Sequence, residues 1–183
     1  MRPGFPLVLL VTALIVAGSL PARAASKREI ETKSTAALKA LLDSTPAAKT
    51  LAEDAKAILI FPEIVKGGFI VGGQVGSGML QEHGKAAGYY RSFAGSYGLQ
   101  AGVQSFGYVL MFMDDESRAY LDKSKGWEIG VGPSIVLVDE GVGKNLTTTT
   151  LKKGVYAFIF DQKGLMAGIG IQGSKITKID PKD

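Results

Sequence analysis

Residues 57–61, reading AILIF, form an apolar run with no polar side chain. Such a run is either a strand buried on both faces or a short buried helix end. Pro62 closes it, and Lys66-Gly67-Gly68 predicts a turn. The pattern then alternates, with Phe69, Val71, Val75 and Met79 on one parity and Gly68, Gly72, Gly76 and Gly78 on the other. Period two is the signature of a strand. Here one face is bulky and apolar and the other is almost without side chains.

The same alternation returns three times. Tyr97, Leu99, Ala101 and Val103 alternate with Ser96, Gly98, Gln100, Gly102 and Gln104. Trp127, Ile129 and Val131 alternate with Glu128, Gly130 and Gly132. Leu165, Ala167, Ile169 and Ile171 alternate with Gly164, Gly168, Gly170 and Gln172, with Met166 the exception. Glycine weakens a strand, so Gly68, Gly72, Gly102 and Gly168 need a structural reason, and tight curvature or close backbone approach supplies one. Strands are expected at 88–93, 96–104, 108–113, 155–160 and 176–179, with a hairpin loop over 81–85. The runs 108–113 and 155–160 are apolar at both parities, so both of their faces are expected to be covered.

The N-terminal part has a different period. Ser26 followed by Glu29 is a capping box. Behind it, Ile30, Ala37, Leu38, Leu41 and Leu42 form one helical stripe, while Lys27, Arg28, Lys33 and Lys39 take the other positions. This predicts an amphipathic helix ending near Asp43. Thr45 with Pro46 opens a second helix, whose Leu51, Ala52 and Ala55 are its buried side. Asp114 is expected to cap a short helix over 115–121. The expected fold is α+β and mainly antiparallel β: a strongly curved, glycine-rich sheet closed or nearly closed into a barrel, with the amphipathic helices packed on it.

Composition sharpens this in a few respects. The 183 residues suffice for one domain with a real core, and 22 of the 24 glycines fall between Gly67 and Gly173. Residues 1–24 have the layout of a signal peptide: basic Arg2, an apolar run over 7–17, and Ala22-Arg23-Ala24 as cleavage site. A single mature domain over 25–183 is expected, periplasmic or secreted, with a retained anchor as the alternative. The chain has no cysteine, so it has neither a lipid-modified cysteine nor disulfides. Losing Arg2 and Arg23 lowers the formal charge from +4 to +2, which fits weak attraction to anionic surfaces and gives no sign of a nucleic-acid partner.

Candidate chemistry is sparse. Gly168-Ile-Gly170-Ile-Gln-Gly173 has the spacing of a dinucleotide-binding turn, but a strand rather than a helix is expected after it. His83, the single histidine, lies in the hairpin loop, and no nucleophile elbow is present. The acidic cluster Asp114-Asp115-Glu116 is explained by helix capping. No enzyme, cofactor or metal site is expected. The loop over 139–153, with four threonines and Lys152-Lys153, has the length of a functional segment.

In order along the chain, Ala57-Ile-Leu-Ile-Phe-Pro62, Val65-Lys-Gly-Gly-Phe69 with Gly72-Gly73 and Gly76-Ser-Gly78, Ser96-Tyr-Gly-Leu-Gln-Ala-Gly102, Gly130-Val-Gly-Pro133 and Lys163-Gly-Leu-Met-Ala-Gly168 resemble the SYLF domain. The resemblance covers residues 34–179. It implies binding of acidic phospholipids, with a role for the N-terminal amphipathic helix. Actin binding, also known in the family, is not expected of an exported chain; protein partners are left open. The candidate lipid-binding residues are Lys27, Arg28, Ile30, Lys33, Lys39, Lys152 and Lys153. A periplasmic structural or protein-binding module and a small outer-membrane β-barrel are the competing expectations.

Overall fold

The computed structural model describes residues 25–123, 126–138, 153–164 and 173–183, with the backbone alone for 69–71 and 96–101. The expected leader, Lys152, Gly168 with the strand over 165–172, and most of the 139–153 loop lie outside the described residues.

Helix α1, Lys27–Ser44, starts where Ser26 Oγ accepts the Glu29 amide at 3.3 Å. Ile30, Ser34, Leu38 and Leu41 form its buried stripe. Helix α2, Pro46–Asp54, has proline in its first turn, where the missing N–H costs nothing, and buries Ala48 and Leu51.

Two very long strands follow, β1 over Ala57–Glu82 and β2 over Lys85–Phe112. They pair antiparallel from Glu82↔Lys85 at the turn to Ala57↔Phe112 at the open end. The turn is His83-Gly84, with φ of +49° and +75°. Two successive left-handed residues give the tight reversal whose twist suits a hairpin.

The remaining strands join the far edge of β2. Strand β3, Trp127–Glu128, pairs β6, Lys175–Ile179, and β6 pairs Tyr89–Phe93 of β2. Strand β4, Ile135–Leu137, runs parallel to β5, Val155–Gly164, which pairs residues 104–112 of β2. Between these lie helix α3, Asp115–Ala119, and a 3-10 turn, Tyr120–Asp122. Asp114 accepts the amides of Ser117 at 2.7 Å and Gly154 at 2.5 Å, tying the helix start to β5. Burial works against its charge, but these amide hydrogen bonds outweigh it and hold the carboxyl below its ordinary range.

Several expectations change. Lys66-Gly67-Gly68 is not a turn; β1 passes through it without leaving the ladder. The strands expected at 88–93, 96–104 and 108–113 are one strand, β2. The chain bends inside the pairing instead of breaking it, through register shifts at Phe61/Ile64, Phe69/Val71 and Leu80/Gln81. Pro62 falls in the first of these, where no ladder N–H is required. The strand expected from Trp127 is two residues long, because Gly130 and Gly132 take φ near +100° and turn the chain.

The bend folds the hairpin onto itself. A Cβ on Gly78 would meet the Ile60 carbonyl and the Phe61 ring, and one on Gly76 would meet the Glu63 carbonyl and Ile64. The tip half of β1 therefore lies across its own stem half, with glycine where the backbones press together. The result is an α+β fold whose mostly antiparallel sheet curls into a half-barrel, open where a closed barrel was the other possibility.

One core fills the inside, with Leu59, Phe61, Phe106, Tyr108, Leu110 and Phe112 from the stem against Leu80, Tyr90, Trp127 and Ile176. The other lies outside the stem, with Ile58, Ile60, Val109, Met111 and Phe158 beneath Ile30, Leu38 and Leu41 of α1 and Leu51 of α2. The runs apolar at both parities are thus covered on both faces, as their composition requires.

Candidate functional site

The solvent side of α1 carries the basic residues expected to meet lipid, and their surroundings differ. The Lys33 ammonium lies 2.7 Å from Glu29 and the Lys39 ammonium 2.5 Å from Asp43, both as exposed pairs one turn apart. The hydrogen bond to Glu29 raises the Lys33 pKa. Exposed pairs of this kind add little stability, but each places a carboxylate beside the charge that a headgroup would need. Lys27 and Arg28 form no ion pair among the described residues. The Lys27 ammonium stands 5.9 Å from the centre of the Tyr89 ring. The Tyr89 hydroxyl donates to Glu31, and its pKa is pushed up to about 12, by burial first and then by that carboxylate.

Ile30 is only 2% exposed and belongs to the outer core, so it meets no solvent while α1 is docked. Lys153 is exposed and close enough to Asp114 to favour that carboxylate's charge. Among the glycines, Gly68 faces Gly102 across the ladder and Gly72 faces Ser96. Gly102 has φ +143°, outside the range that a side chain adopts easily.

A groove of about 320 Å³ lies between α1 and the first bulge, lined by Lys33, Pro62, Glu63, Ser105, Asp161 and Lys163 among others. Lys163 pairs with Asp161 at 3.0 Å, as Lys33 does with Glu29. Both ammonium groups are already compensated, and the groove has no surplus charge with which to hold an anion.

His83 sits exposed in the hairpin turn, as its sequence context predicts. Among the described residues no group of three metal-ligating side chains comes together, and no helix is long and apolar enough to cross a membrane.

A surface not anticipated from the sequence lies on the outside of the bend. Val65, Val75, Phe93 and Val103 are 44%, 47%, 57% and 66% exposed. Val75 and Phe93 are direct cross-strand partners, and Lys175 of β6 is the next residue along that row. Arg91, two positions before Phe93, shares its face and is exposed. The alternation of apolar residues with glycine was the available signal. It showed two faces; it did not show that the glycine face turns inward and the apolar one outward.

Residues 93–182 match a family model, Ysc84, described as Las17-binding protein actin regulator. The match starts within β2 and takes in the remaining strands, leaving α1, α2 and β1 outside it. No curated protein matches the chain.

Proposed function

We propose that this chain, which belongs to the Ysc84 (SYLF) family through residues 93–182, is an exported, non-enzymatic protein that binds anionic phospholipid headgroups at a membrane surface. The family is one of lipid- and actin-associated binding domains. The leader-like residues 1–24 support export, and they favour a lipid over actin as the relevant partner, since actin would not share the compartment.

The observation that carries the reading is the cationic end of α1. Lys27 lies beside Tyr89, Arg28 follows it in the first turn of α1, and Arg91 comes two positions after Tyr89 on the same face of β2. The Lys27 amide also donates to the Lys182 carbonyl at 3.0 Å, which brings the C-terminal tail to the same corner, with Lys182 flanked by Asp180 and Asp183. Lys33 and Lys39 have local carboxylates and contribute less.

Each cation near an anionic surface is worth about 1 kcal/mol and is screened by salt. Reversing Lys27 and Arg28 to glutamate should therefore weaken flotation with phosphatidylglycerol vesicles at low salt by at least about thirtyfold, the cost of losing two cations alone. Reversing Lys33 and Lys39 should weaken it less. Equal flotation on neutral and anionic vesicles, or indifference to the Lys27 and Arg28 changes, would remove this corner from the mechanism.

A further inference from the structure

We infer that the outer face of the hairpin tip, and not α1, is the part of this protein that enters the bilayer: Val75, Phe93 and Val103 insert, and Arg91 and Lys175 hold the headgroups beside them. The inference rests on the membrane reading above and names the element that would give binding a salt-resistant part.

Scattered exposed apolar residues are ordinary on protein surfaces. These are not scattered. Residues 65–75 of β1 alternate with no extra residue on that strand, so Val65 and Val75 share its outer, convex face. Val103 stands beside Gly67, and Phe93 beside Val75. The side chains between them on this face are small where described: Gly67, Gly73 and Gly95.

Charge gives the occupant. Arg91 precedes Phe93 on its face, Lys175 pairs with Phe93, and neither forms an ion pair among the described residues. Glu128, the ladder partner of Lys175, is the carboxylate at the end of that row. Along β2 the cationic corner of Lys27, Arg28 and Arg91 runs directly into the apolar pair. Cations beside a few protruding apolar groups match a leaflet with anionic headgroups over hydrocarbon. Four side chains are also a small area against the roughly 1,200–2,000 Å² buried in a stable protein interface.

Helix α1 is the poorer inserting element. Its apolar stripe is already engaged with Ile58, Ile60, Val109 and Met111, and leaving would expose all of them to water.

The absence of cysteine makes a direct test available. Phe93→Cys and Val103→Cys, made singly in the full chain, would carry an environment-sensitive fluorophore, with Glu116→Cys on α3 as the control. With phosphatidylglycerol vesicles, labels at 93 and 103 should shift to the blue and the label at 116 should not. The variant with Val75→Ser and Phe93→Ser should keep its melting transition but lose about tenfold in vesicle partitioning at high salt. Vesicle binding with labels 93 and 103 still in water would overturn the inference while leaving the membrane reading standing. No binding to any vesicle would overturn both. A blue shift on concentrating the protein without vesicles would make a second copy of the chain the occupant, and overturn it too.

Discussion

The two halves of the hairpin share the same two strands, one ladder and one alternation, yet they live in different surroundings. In the stem, Leu59, Ile60, Tyr108, Val109 and Leu110 are fully buried, with even and odd positions alike out of water. In the tip, Gly76, Gly78 and Leu80 face the stem, while Val75 and Phe93 on the opposite face stand in solvent. The difference is made by the helices, which cover the outside of the stem and reach the tip only as far as Met79 and Tyr89. Apolar composition on a strand face therefore does not say whether that face is core. The layer above it decides.

The comparison can be broken most forcefully at Gly78. A valine there would drive into the Ile60 backbone, which cannot move aside as a side chain can. A loss of about 3 kcal/mol or more is expected in denaturant melts. A loss under about 0.5 kcal/mol, the range of an ordinary surface change, would mean that the tip does not rest on the stem.

A second test uses pH. Burial, and then the charge of Asp122, pushes the Tyr90 hydroxyl up to about 12. The unfolded chain ionises this group near 10. Between those values the unfolded state has lost a proton that the folded state keeps, so stability falls as pH rises. This contribution is complete below pH about 10. Tyr90→Phe should flatten the alkaline loss in melts taken across that window; an unchanged slope would place Tyr90 in water.

The smallest effect is expected on the outer face. Phe93→Ser should change folding stability by no more than about 0.5 kcal/mol, because the side chain packs on little within its own chain. A larger loss would show that something in the fold covers it after all.

Much of this arrangement is legible in the sequence. The runs at 57–61, 108–113 and 155–160 announce strands with both faces covered, and Ser26, Pro46 and Asp114 mark helix starts by their cap chemistry. The bend is not legible, because glycine clusters look alike whether the chain reverses direction or curves within a ladder. Strand β4 is three residues paired in parallel to a distant strand, and no local period marks it. Trp127, Ile129 and Val131 imitate a strand, yet Trp127 Nε1 donates to the Val131 carbonyl at 3.0 Å across a turn. At the candidate site, the spacing of Glu29 to Lys33 and of Lys39 to Asp43 already spelled out the pairs that weaken those lysines. The exposure of Phe93 could not be read, since it depends on where α1 begins relative to the tip.

The doubling of the hairpin also has a consequence for how the chain acquires its structure. Pairing can zip outward from His83-Gly84, where Glu82 and Lys85 are neighbours in sequence, and closing so short a loop is fast. Yet the inner face of the segment formed first has glycine at 76 and 78, and its large residues Leu80 and Tyr90 are buried only once the stem packs on them. Its stability waits on Ala57, Leu59 and Phe61, whose partners are Phe112, Leu110 and Tyr108 at the last rungs to close. An early hairpin is therefore a transient register-setter and not an intermediate that accumulates. Tip and stem are expected to appear and disappear in one cooperative step, with the slow event being the arrival of the distant strand ends.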